Sequence, residues 1–139
     1  MNTVLEKPHS ILARDEWMRA LMTLEQELIA WSGAEGWQIL SSLKSITEAA
    51  TGQYLAPELV IETPGGERLL VEVKGRGPVE AAGRVQISAW PTLFRVVLLH
   101  KQGQDGWVIR TDSGVPIRQP WNRETFIMLA NDLLNAENE

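Results

Sequence analysis

The chain has 139 residues, a net charge of −5 and no cysteine. That length suits one domain, residues 1–139, with a core that needs no cross-links. Without cysteine, disulfides and thiolate-bound zinc are excluded, and a metal would sit among carboxylates, carbonyls, water or histidine, donors that suit Mg²⁺ or Mn²⁺. The acidic balance argues against coating nucleic acid but leaves room for a local cationic strip, and the lack of a signal peptide or apolar span points to the cytoplasm and away from a membrane.

From Asp15 to about Ser32, Trp17, Leu21, Leu24, Leu28 and Trp31 recur at helical spacing, with Gly33 as a stop. Glu25 falls inside this apolar arc, where a carboxylate is costly unless paired or metal-bound. Trp37 to Leu43 reads as a short strand or an irregular segment, and the polar stretch Ser45 to Gln53 has no clear periodicity. A strand from Glu58 to Glu62 follows. Pro64-Gly65-Gly66 then turns the chain into Leu69 to Lys74 as a hairpin.

Alternation puts Leu69, Val71 and Val73 on one face of this strand, and Leu70, Glu72 and Lys74 on the other. A three-residue loop from Pro64 to Gly66 would pair Thr63 with Glu67 and set Glu58 opposite Glu72. A shorter turn at Gly65-Gly66 would send Glu58 to the wrong face unless a bulge intervened. After the loop Gly75-Arg76-Gly77-Pro78, a helix is expected from Pro78 to about Trp90, ended by Pro91. Gln86 would lie on its apolar face among Ala82, Ala89, Trp90 and Leu93. Arg95 to His100 fits a buried strand and Gly106 to Thr111 another. A last helix runs from Arg123 to Asn135, with Asn122 as N-cap and Phe126, Leu129 and Leu133 on one face.

The order α, β, β, β, α, β, β, α, with Pro57-Glu58 and Glu72-Val73-Lys74 on adjacent strands, resembles the PD-(D/E)xK nuclease superfamily over Asp15 to Lys101. Tyr54 before the first motif and Gly75 after the second strengthen the likeness. The resemblance implies an α/β, restriction-endonuclease-like αβββαβ core: a mixed sheet flanked by helices, extended here by a C-terminal strand and helix. It implies a Mg²⁺- or Mn²⁺-dependent endonuclease acting on DNA, with a homodimer as the assembly. Glu58, Glu72, Glu25 and the Val73 carbonyl would hold metal, Lys74 would assist the attacking water, and Gln86 would support the site. Arg76 and Arg84 would meet backbone phosphates. A carboxylate-bound metal supplies both the charge stabilisation and the hydroxide that phosphodiester hydrolysis requires.

This chain departs from the pattern in having Glu58 where the first motif usually has aspartate, so Glu62 is an alternative ligand. The same residues also admit plainer roles. Glu72 and Lys74 fit a surface ion pair, Glu25 a buried acid with a basic partner, and Gln86 a satisfied interior amide. Arg76 and Arg84 fit a solvated surface, His9 and His100 structural positions, and the six tryptophans core anchors. The second functional reading is a nuclease-fold domain with weak or absent catalysis that binds DNA or protein as a regulatory subunit.

Overall fold

The computed structural model describes residues 2–48, 52–75, 83–90, 96–101, 107–111 and 116–137, and their side chains between 14 and 135 apart from 116. A long helix α1 (Asn2–Ala34) leads into the strands β1 (Gln38–Glu48), β2 (Gly52–Glu62), β3 (Arg68–Gly75), β4 (Gly83–Trp90), β5 (Val96–Lys101), β6 (Trp107–Thr111) and β7 (Pro116–Ile117). Helix α2 (Arg123–Glu137) closes the chain. The seven strands form one sheet in sequence order, each antiparallel to the next. The chain is thus of mixed α/β composition, but its sheet is a continuous antiparallel meander, where a mixed sheet was expected.

The largest departure is β4. The segment expected as a helix from Pro78 to Trp90 is, where described, a strand from Gly83 to Trp90. Val85, Ile87 and Ala89 point to the core while Arg84 and Trp90 are exposed, the two-residue period of a strand. Ala89, Trp90 and Gln86 fit a helical arc equally well on paper. The β-branched Val85 and Ile87, both fully buried between β3 and β5, settle the matter by packing.

Trp17, Leu21, Leu24 and Leu28 of α1 occupy one core cluster with Phe126, Leu129, Leu133 and Leu134 of α2. The sheet contributes Ile61, Leu69, Val71, Val85, Ile87, Leu99 and Ile109 to it. All of these strand residues share one face, so both helices lie on that face; α1 crosses β1 and β2, and α2 crosses β3 and β4. Among the described residues no helix packs on the other face. The sheet curls about α1, because Trp17 alone meets Tyr54 of β2, the Gly83 backbone of β4 and, at 5.9 Å between ring centroids, Trp107 of β6. Each large apolar side chain buried in this way contributes about 1.5–3 kcal/mol.

Local chemistry sets the element ends. Gly36, at φ 79°, closes α1, with Trp37 N–H donating to the Ser32 carbonyl at 2.9 Å and Gly36 N–H to Gly33 at 3.0 Å. At the head of α2, Asn122 Oδ1 accepts the Thr125 amide at 2.9 Å, the expected N-cap. Between β2 and β3 the three-residue loop holds: Thr63 and Glu67 bond at 2.9 Å, and Gly66 takes the left-handed φ of 86°. Strand β1 runs five residues beyond Leu43 through the polar Ser45 stretch, and α1 begins well before Asp15.

Candidate functional site

The β2–β3 register is the one that sets Glu58 on the line of Glu72, since Leu59 pairs with Val71 and Glu62 with Arg68. The ladder nevertheless stops at Leu59, one residue short of Glu58. There the burial of β2 changes phase: Tyr54 and Ala56 are buried before Pro57-Glu58, and Leu59 and Ile61 after it, while pairing with β1 runs through. Glu58 therefore turns toward β1. Its carboxylate meets Lys44 Nζ at 4.0 Å, and its carbonyl accepts the Ser42 hydroxyl at 3.4 Å.

The other expected ligands have partners of their own. Glu25 accepts the Ser41 hydroxyl at 2.7 Å and rims a narrow apolar cleft between α1, Pro57 and Val73. Glu62 pairs with Arg68 at 3.5 Å, and Glu72 with Lys74 at 3.7 Å. Among the described residues, no three acids or histidines form a group able to hold a metal ion. The expected Mg²⁺ ligands Glu25, Glu58 and Glu72 do not form such a group in this arrangement. The acids lie on separate elements, and each has a hydroxyl or cationic partner.

Part of the expected constellation does assemble. Glu72 and Gln86 are direct cross-strand partners of β3 and β4, on the face that carries no helix, and Lys74 stands beside Glu72 at the bulge between Val73 and Gly75. Gln86 thus reaches this position from a strand rather than a helix. Arg84 is exposed on the same face and pairs across the ladders with Gly75 on one side and His100 on the other. Arg110 of β6 pairs with Leu98, which itself pairs with Gln86. The row Glu72, Gln86, Leu98, Arg110 thus runs beside the row Arg84, His100, Val108. Arg76 lies outside the described residues.

His100 records the electrostatics of this face. Burial lowers its pKa from the ordinary value, and the positive charges of Arg110 and then Arg84 lower it further. Among the described residues the two rows and the bulge carry three permanent cations, Lys74, Arg84 and Arg110, against one carboxylate, Glu72. Among the described residues, a chain that is acidic overall thus gathers cations on this face, one of them, Lys74, paired with Glu72.

Sequence reasoning missed a second cluster, at the closed end of the curl. The buried Trp17 indole donates to the Tyr54 hydroxyl at 2.9 Å, which donates in turn to Glu48 at 3.2 Å. Glu48 lies against Gly75, whose φ of 93° and lack of a side chain leave room for the carboxylate. The Trp17 ring presses on Gly83 in the same way. Tyr54 and Gly75, singled out above through a family likeness, thus have a direct structural reason: both accommodate Glu48. No local signal marked Glu48, because its partners come from α1, β2 and β3.

On the inner face, burial raises the pKa of Glu27, and the Trp121 indole and Lys101 partly offset the shift. Comparison with protein-family models, with curated proteins and with solved structures returns no match.

Proposed function

We propose that this chain is a nucleic-acid-binding module without strong hydrolytic activity, and that it holds a phosphate backbone against the helix-free face of its sheet. The carrying observation is the gathering of Arg84 and Arg110 around His100, with Lys74 at the neighbouring bulge. Guanidinium groups suit phosphate oxygens, which they can meet with two parallel hydrogen bonds. Phosphate contacts position a backbone without reading its sequence, which agrees with the absence of an evident base-reading segment.

The test is fluorescence anisotropy with labelled single-stranded and duplex DNA and RNA at low and moderate salt. Binding should weaken as salt rises and fall at least tenfold in Arg84→Glu combined with Arg110→Glu. Absence of binding to every probe would overturn the reading.

The hydrolytic reading keeps one observation in its favour, the adjacency of Glu72, Lys74 and Gln86 on one face. Incubation of supercoiled, linear, single-stranded and branched DNA with Mg²⁺ or Mn²⁺ decides between the two. Cleavage that disappears in Lys74→Ala would establish a nuclease, and intact DNA would leave the binding module.

A further inference from the structure

Strand β1 is an unusual edge. It is eleven residues long and exposed on both faces from Leu40 to Ser45, and among the described residues it has a strand neighbour on one side only. Its pairing with β2 runs from Gln38 to Glu48 without a register shift, so its outer edge offers a long, regular row of backbone donors and acceptors. The usual guards of such an edge, proline, a bulge or a run of charges, are missing; Lys44 and the terminal Glu48 are the only charged residues on it. Leu40 and Leu43 on this strand are 71% and 67% exposed, and Leu55 on its neighbour is 53% exposed.

We infer that β1 pairs antiparallel with β1 of a second copy of this chain, centred on Leu43, so that two seven-stranded sheets become one. The sequence of the strand, QILSSLKSITE, is close to self-complementary about that residue. Leu43 faces its own copy, Ser41 faces Ser45, Leu40 faces Ile46 and Ile39 faces Thr47. Lys44 faces Ser42, and Glu48 faces Gln38. Apolar meets apolar or β-branched, hydroxyl meets hydroxyl, and no like charges oppose one another.

Neighbouring registers are worse. Centring on Lys44 sets two ammonium groups opposite each other, and centring on Ser42 sets Leu40 against Lys44 and Ile39 against Ser45. Head-to-tail growth is disfavoured as well. The opposite edge, β7, is two residues long and begins with Pro116, so it cannot receive β1, and the contact closes as a two-fold dimer. This inference is independent of the nucleic-acid reading, since neither Lys74, Arg84 nor Arg110 lies on β1.

The test is sedimentation equilibrium and light scattering of the full chain across a hundredfold concentration range, with circular dichroism to confirm that each variant is folded. The wild type should dimerise. Ser42→Lys sets an ammonium opposite Lys44 twice, by symmetry, and should weaken the dimer roughly tenfold. Adding Lys44→Glu should restore it, because the new pair is of opposite charge. Both positions are exposed, and circular dichroism checks that losing their contacts to Glu58 leaves the fold intact. A monomeric wild type at the highest concentration would overturn the inference. So would a dimer indifferent to Ser42→Lys, or one that Lys44→Glu fails to rescue.

Discussion

The two ends of the molecule handle charge in opposite ways. At the closed end, Glu48 joins the chain Trp17, Tyr54, Glu48 and fills the space left by Gly75, so that its carboxylate is held by donors from other elements. On the helix-free face, Arg84, Arg110 and His100 lie together with Lys74 beside them, and the only carboxylate in those rows, among the described residues, is Glu72. The first arrangement is complete within the fold and acts to hold the β1–β2 hairpin onto α1. The second gathers cations on one face of the sheet, with Lys74 paired to Glu72. Charged residues gathered in one place therefore carry different meanings according to whether the fold itself satisfies them.

This contrast can be tested by substitution. The largest effect is expected from Gly83→Leu, whose side chain would have to displace the Trp17 ring; a loss of about 3 kcal/mol should appear as a lower midpoint of urea unfolding. Gly75→Ala adds a methyl group at a φ of 93° and against Glu48, and should cost about 2 kcal/mol by the same measurement. Tyr54→Phe leaves the buried Trp17 N–H without its acceptor and should cost about 1–2 kcal/mol. Combined with Trp17→Phe, its cost should be less than the sum of the two, because both changes break the same bond. Arg84→Glu, at an exposed position, should leave stability within about 0.5 kcal/mol of wild type while binding of nucleic acid falls. Losses of stability equal at the two ends would erase the distinction.

The smallest effect concerns pH. The folded-state pKa of His100 lies below the ordinary 6.5, so the unfolded chain binds the proton more readily. The stability that this provides is fully present above the unfolded value and is lost as pH falls through the folded one. His100→Gln should therefore flatten the fall in the urea midpoint between neutral and mildly acidic pH. An unchanged slope would show that neither burial nor the charges of Arg110 and Arg84 shift this ring.

Much of the local structure was legible in the sequence. The spacing of Trp17, Leu21, Leu24 and Leu28, the Asn122 cap and the Pro64-Gly65-Gly66 loop with its register all follow from short-range rules, because turn geometry and one-sided burial act within a few residues. Strand β4 was not legible, since its apolar residues satisfy both periods and only burial between β3 and β5 selects the strand. The extent of β1 was hidden for another reason: exposure on both faces removes the alternation by which a strand is recognised.

The candidate site divides along the same line. The sequence by itself determined that Glu72 and Lys74 share a face and that the hairpin aligns Glu58 with Glu72. Only the tertiary structure decided that the ladder stops before they meet, that Glu58 turns to Lys44 and Glu25 to Ser41, and that Arg84, His100 and Arg110 come together. The physical reason is that a charged side chain's neighbours are set by the curl and pairing of strands far apart in the chain. No periodicity within one strand encodes them.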